Sequence, residues 1–70
     1  MQRIPVDSTN LASVGYDAIA RALEVEFRGG RVYRYFAVPA ADYDGLMSSS
    51  SKGRYFNENI KDQYDFSRVN

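Results

Sequence analysis

Seventy residues leave room for one hydrophobic core and no second. Nine basic and nine acidic side chains cancel to a formal net charge of zero, which excludes proteins that grip nucleic acid by bulk charge alone. With no cysteine and no histidine, the chain has neither disulfides nor a thiolate zinc site, and it lacks both the usual base for a serine nucleophile and the thiolate route.

The N-terminal MQRIPVDSTN has no basic segment followed by an apolar run, and nothing later approaches the ~18 apolar residues of a membrane span. A soluble cytoplasmic domain spanning residues 1–70 is expected, with no membrane partner. From Ile4 to Tyr16, β-branched residues flank Asp7-Ser8-Thr9-Asn10, which predicts a bend and then a short strand over Ser13 to Tyr16. Asp17 to Arg21 connects to LEVEF, where Leu23, Val25 and Phe27 alternate with Glu24 and Glu26, the clearest strand pattern in the chain.

Gly29-Gly30 marks a hairpin into RVYRYF, and the loop length decides where Tyr33 and Tyr35 point. A two-residue loop pairs Glu24 with Tyr35, drives Arg34 into the apolar face and leaves both tyrosines among glutamates. A three-residue loop, Arg28-Gly29-Gly30, pairs Val25 with Tyr33, Leu23 with Tyr35 and Glu24 with Arg34, with Gly30 in the left-handed position such loops need. The second register is preferred, because it makes one apolar face and one opposite-charge cross-strand pair.

Val38-Pro39 closes that strand and opens a helix from Pro39 to Ser48, with Asp42 in its first turns and Tyr43, Leu46 and Met47 on one face. A second helix starts with Ser50 or Ser51 as N-cap and carries Phe56, Ile60 and Tyr64 as a stripe. YDFSRV alternates as a short closing strand or an extended tail. The predicted fold class is α+β: a small antiparallel β-β-β sheet followed by two helices packed on one face, with a short C-terminal strand as an option.

VGYD, LEVEF, the glycine hairpin, YRY, VP, SKGRYFN, Ile60 and Tyr64, in this order, resemble the KTSC domain family from about Val6 to Arg68. That family takes its name from a C-terminal extension of some lysyl-tRNA synthetases and also occurs as small stand-alone bacterial and phage proteins. Gly15, Tyr16, Gly30, Tyr33, Tyr35, Pro39, Gly53, Phe56 and Asn57 fall on its motif, and these read as structural positions. The resemblance implies no established activity. The synthetase context suggests RNA, by association.

On residue chemistry the enzyme reading is weakest. The pairs Asp42-x-Asp44 and Asp62-x-x-Asp65 read as helix-start and solvated-face residues, and no phosphate loop, metal or cofactor is expected. An RNA or anion site has more material: Arg28, Arg31 and Arg34 around the hairpin, and Ser51, Lys52 and Arg54 at the start of the second helix. The competing reading is a small protein-interaction module with an exposed apolar patch or open sheet edge. The discriminating feature is the map of the arginines. Clustering with Lys52 and Lys61 favours RNA, and dispersal among acids favours a protein partner.

Overall fold

In the computed structural model, which describes residues 1–70, five strands and two helices run in the order β1 (Ile4–Pro5), β2 (Leu11–Asp17), β3 (Ala22–Phe27), β4 (Val32–Tyr35), α1 (Ala40–Ser48), α2 (Lys52–Asn59) and β5 (Phe66–Arg68). The strands form one antiparallel sheet in the order β1-β2-β3-β4-β5, so every strand pairs with its neighbour in sequence. The helices fill the connection from β4 to β5. The α+β class holds, the closing strand exists, and a short first strand joins the three that the sequence pattern predicts.

The hairpin takes the three-residue loop. Leu23 pairs with Tyr35, Glu24 with Arg34 and Val25 with Tyr33, while the Phe27 N–H donates to the Arg31 carbonyl at 2.8 Å. Gly29 and Gly30 have φ of 105° and 99°, which side-chain-bearing residues rarely adopt. The inner face therefore carries Leu23, Val25, Phe27, Tyr33 and Tyr35. A bulge between Leu11 and Ser13 lets both Leu11 and Val14 reach that same face, although strict alternation would separate them.

Leu46 of α1, Phe56 of α2 and Ile60 just beyond it close over this face in one apolar cluster with Leu11, Val14, Leu23, Val25, Tyr35 and Val38. β2 runs longer than the expected Ser13 to Tyr16, from Leu11 to Asp17, and two helix boundaries also differ from the sequence pattern. Pro39 stands at the N-cap of α1 rather than inside it, its ψ of 153° still extended. α2 stops at Asn59 with Ile60 as C-cap, so Tyr64 packs on the cluster from the following turn rather than from a helical stripe.

The outer face is polar but not open. Glu24 is only 4% exposed, because the segment before β1 crosses the sheet and lays Arg3 over it. Arg3 Nη1 reaches one carboxylate oxygen at 2.5 Å, and Arg34 grips the other through Nε and Nη2 at 3.1 and 2.7 Å. Arg3 Nε also donates to Ser13 Oγ, whose hydroxyl donates to Glu26. Gly15 permits the crossing: a Cβ there would stand 2.8 Å from the Gln2 carbonyl oxygen.

Candidate nucleic-acid interface

Three depressions adjoin along the start and one side of α2. The largest, about 640 Å3, lies between the Asp7–Asn10 bend and the first turn of α2, with Ser51, Lys52, Gly53, Arg54, Asn57 and Glu58 on the helix side. Arg28 and Arg31 line the second, about 230 Å3, which shares Asn10, Gly53 and Asn57 with the first. The third, about 220 Å3, lies between Arg31, Asn57 and Lys61 over the rings of Phe27, Tyr33, Tyr35 and Phe56.

The chain builds the main groove from local rules. The Ser8 hydroxyl accepts from the N–H groups of Asn10 and Leu11, both at 3.2 Å, and holds the bend. Arg28 braces it by donating to the Ser8 carbonyl from Nε and Nη2 at 3.1 and 2.9 Å. Gly53 lets the bend approach the helix, since a Cβ there would come within 3.2 Å of Asn10 Nδ2.

Ser51 occupies the N-cap of α2, but its hydroxyl makes no capping hydrogen bond. The cap expected of it therefore does not form, and no N-cap side chain satisfies the first-turn N–H groups. Lys52 Nζ donates to the Ser49 carbonyl at 3.0 Å, and Arg54 pairs with Glu58 at 3.3 Å on the exposed side of the helix.

Five cations thus share one region: Arg28, Arg31, Lys52, Arg54 and Lys61. Asp7 and Glu58 are the acids lining the first groove. Arg34 is not in this group. It lies on the outer face with Nε and Nη2 donating to Glu24, the cross-strand pair that the register predicts. Arg3 is committed to the same carboxylate.

The family-motif residues have visible structural tasks. Tyr16 donates to the Val38 carbonyl at 2.6 Å and stacks on Tyr43 with ring centroids 4.8 Å apart. Tyr35 is buried, with its ring 5.4 Å from Phe56, and burial pushes its hydroxyl pKa up. Tyr33 is half-buried against Phe27 and Phe66.

Two features escape the sequence pattern. Thr9 and Asn10 form a groove wall, for which their turn-forming character is the only local signal. Asp42, read as a helix-start acid, accepts from the hydroxyls of both Tyr55 and Tyr64. Gly45 leaves space on α1 for the Tyr55 ring, which a Cβ would overlap.

With this geometry in place, comparison with known proteins gives the family. The model of the KTSC domain matches residues 7–64. The chain belongs to the KTSC family. A crystal structure of a KTSC domain protein from Yersinia pestis superposes with a TM-score of 0.94 at 40% identity, covering 99% of this chain and 97% of that one. An uncharacterised protein of Stutzerimonas stutzeri is 44% identical over 91% of this chain and 90% of its own length. A lysine–tRNA ligase of Nostoc punctiforme is 37% identical over 77% of this chain, a match that takes up 10% of that enzyme. Among the KTSC relatives the small ones carry no catalytic name. No helix of the KTSC domain is long and apolar enough to cross a membrane.

Proposed function

We propose that this KTSC domain is a non-enzymatic binding module that holds the phosphate backbone of RNA along the three adjoining depressions beside α2. The observation that carries the reading is the placement of Arg28, Arg31, Lys52, Arg54 and Lys61 in one region of a chain with no net charge. In a neutral protein such a cluster supplies a local field that formal charge hides, and planar guanidinium groups match phosphate oxygens in pairs. Support also comes from the relatives, since a segment like this one occurs within lysine–tRNA ligases.

The test is a titration of the domain with a transfer RNA at low salt, followed by fluorescence anisotropy. Saturable binding is expected, weakened several-fold in Lys52→Glu with the circular dichroism spectrum unchanged. Absence of saturable binding by the wild type contradicts the proposal.

A second reading, a protein-interaction module, is favoured by Ile19, 97% exposed at the tip of the β2–β3 turn, and by the exposed Phe36. Its expected signature is capture of a protein partner that Ile19→Ser abolishes while RNA has no effect.

A further inference from the structure

The three depressions differ in chemistry. The groove at the start of α2 has no apolar lining, whereas the one beneath Arg31 and Lys61 is floored by Phe27, Tyr33, Tyr35 and Phe56. Beside that floor stands Phe66 of β5, 55% exposed, with its ring centroid 5.6 Å from that of Tyr33 and 5.4 Å from that of Tyr35. Phe66 is the exposed ring of this aromatic corner, Tyr33 is half-buried and Tyr35 and Phe56 are buried, and a bare phosphate would gain nothing from the exposed ring.

We infer that the depression lined by Tyr33 and Asn57, with the Phe66 ring beside Tyr33, is a nucleobase subsite that selects single-stranded RNA, with Arg31 and Lys61 holding the flanking phosphates. The inference rests on the RNA reading above. Three observations favour a nucleotide over an apolar peptide.

The first is charge. The protein forms three ion pairs, and none involves Arg31 or Lys61, so both rim cations are free to meet an anion. Asp62, close enough to help raise the Tyr35 pKa, does not line the depression, whose charged lining residues are Arg31 and Lys61.

The second is the amide of Asn57. Asn59 on the same helix spends its amide on the Tyr55 carbonyl at 3.2 Å, whereas exposed Asn57 keeps both donor and acceptor for the edge of a base.

The third is continuity. Asn57 lines all three depressions, and Arg31 lines the second and third, so a strand whose backbone follows the groove reaches the aromatic floor without a gap. Aromatic faces accept every base, and an amide at the cleft mouth adds discrimination among them. A-form duplex, with its bases stacked internally, cannot offer a ring to this cleft.

The experiment compares three probes of equal length on the intact domain: a single-stranded RNA, the same backbone carrying abasic sites, and a duplex. The single strand is expected to bind at least about fivefold tighter than the abasic strand, the lower end of what one stacked base contributes. Phe66→Ala, at an exposed position, and Tyr33→Leu, which keeps apolar bulk but removes the flat ring, should erase that advantage of the single strand over the abasic strand. Asn57→Ala should flatten preferences among homopolymers. Equal binding of single-stranded and abasic probes overturns the subsite while the phosphate groove stands. Failure of every probe to bind overturns the groove and the subsite together. A dimer in sedimentation that Phe66→Ala dissolves assigns the aromatic corner to a second copy of the chain and likewise overturns the inference.

Discussion

Ala37 and Arg21 are held at φ of 58° and 55°, a left-handed conformation that costs an L-residue roughly 1–2 kcal/mol. They are linked: the Val38 N–H donates to the Arg21 carbonyl at 2.9 Å, tying the β2–β3 turn to the joint between β4 and α1. Ala37 is exposed, so Ala37→Gly relieves strain without opening a cavity. It should raise the unfolding free energy by about 0.5–1 kcal/mol in urea titration, part of the relief being offset by a more flexible unfolded chain. Tyr64 offers a second residue-level test. Its hydroxyl donates to the Asp42 carboxylate, and that hydrogen bond, then burial, pushes its pKa from 10.0 up to about 12. A raised pKa means the fold favours the neutral phenol. The stabilisation is therefore complete below pH 10 and is lost as pH rises through 12. Over that window wild-type stability should fall more steeply than that of Tyr64→Phe, and parallel curves would contradict the assignment.

At the scale of elements, the outer face of β2, β3 and β4 is organised by Glu24. Burial alone would raise its pKa, but hydrogen bonds from Arg34 and Arg3, with their charges, hold it below the usual carboxylate range. A lowered pKa means stability present above pH 4.5 and lost as pH falls through the folded value. Glu24→Gln should cost about 1–3 kcal/mol at neutral pH, within the range for hydrogen bonds to charged groups, since both arginines keep access to water. The gap between variant and wild type should close below pH 4.5, as acid denaturation curves would register. Glu24 also marks where the sequence stops being legible. Its pairing with Arg34 follows from the hairpin register, because a slip of one residue would flip Tyr33 and Tyr35 to the glutamate face. Its burial does not follow, because Arg3 arrives from a segment whose path depends on Gly15, a contact with no periodic signal. The same contrast holds at the groove. Lys52 and Arg54 are visible in the sequence as a basic pair beside a serine run, but only the folded chain brings Arg28 and Arg31 next to them through Asn10 and Asn57.

Across the whole molecule, zero net charge conceals a division of labour. Arg3 and Arg34 neutralise a buried glutamate on one face of the sheet, while two tyrosine hydroxyls satisfy Asp42 against the helices. Arg28, Arg31, Lys52, Arg54 and Lys61 gather beside α2, tempered by Asp7 and Glu58. The arginines are thus neither all clustered nor all dispersed, and within the cluster Arg31 and Lys61 are the cations that no ion pair or side-chain hydrogen bond engages, whereas Arg54 pairs with Glu58 and Arg28 braces Ser8. If it binds RNA phosphates, affinity must fall with salt, by roughly 0.7 in log K per log unit of salt for each single-strand phosphate contacted. The most direct measurement is the salt dependence of RNA affinity for the wild type and for the double variant Arg31→Glu, Lys52→Glu. A linear log–log dependence is expected in the wild type, with the slope reduced by at least about one phosphate contact in the folded double variant. A slope unchanged by the double variant, or affinity indifferent to salt, would contradict an RNA-binding role for this face.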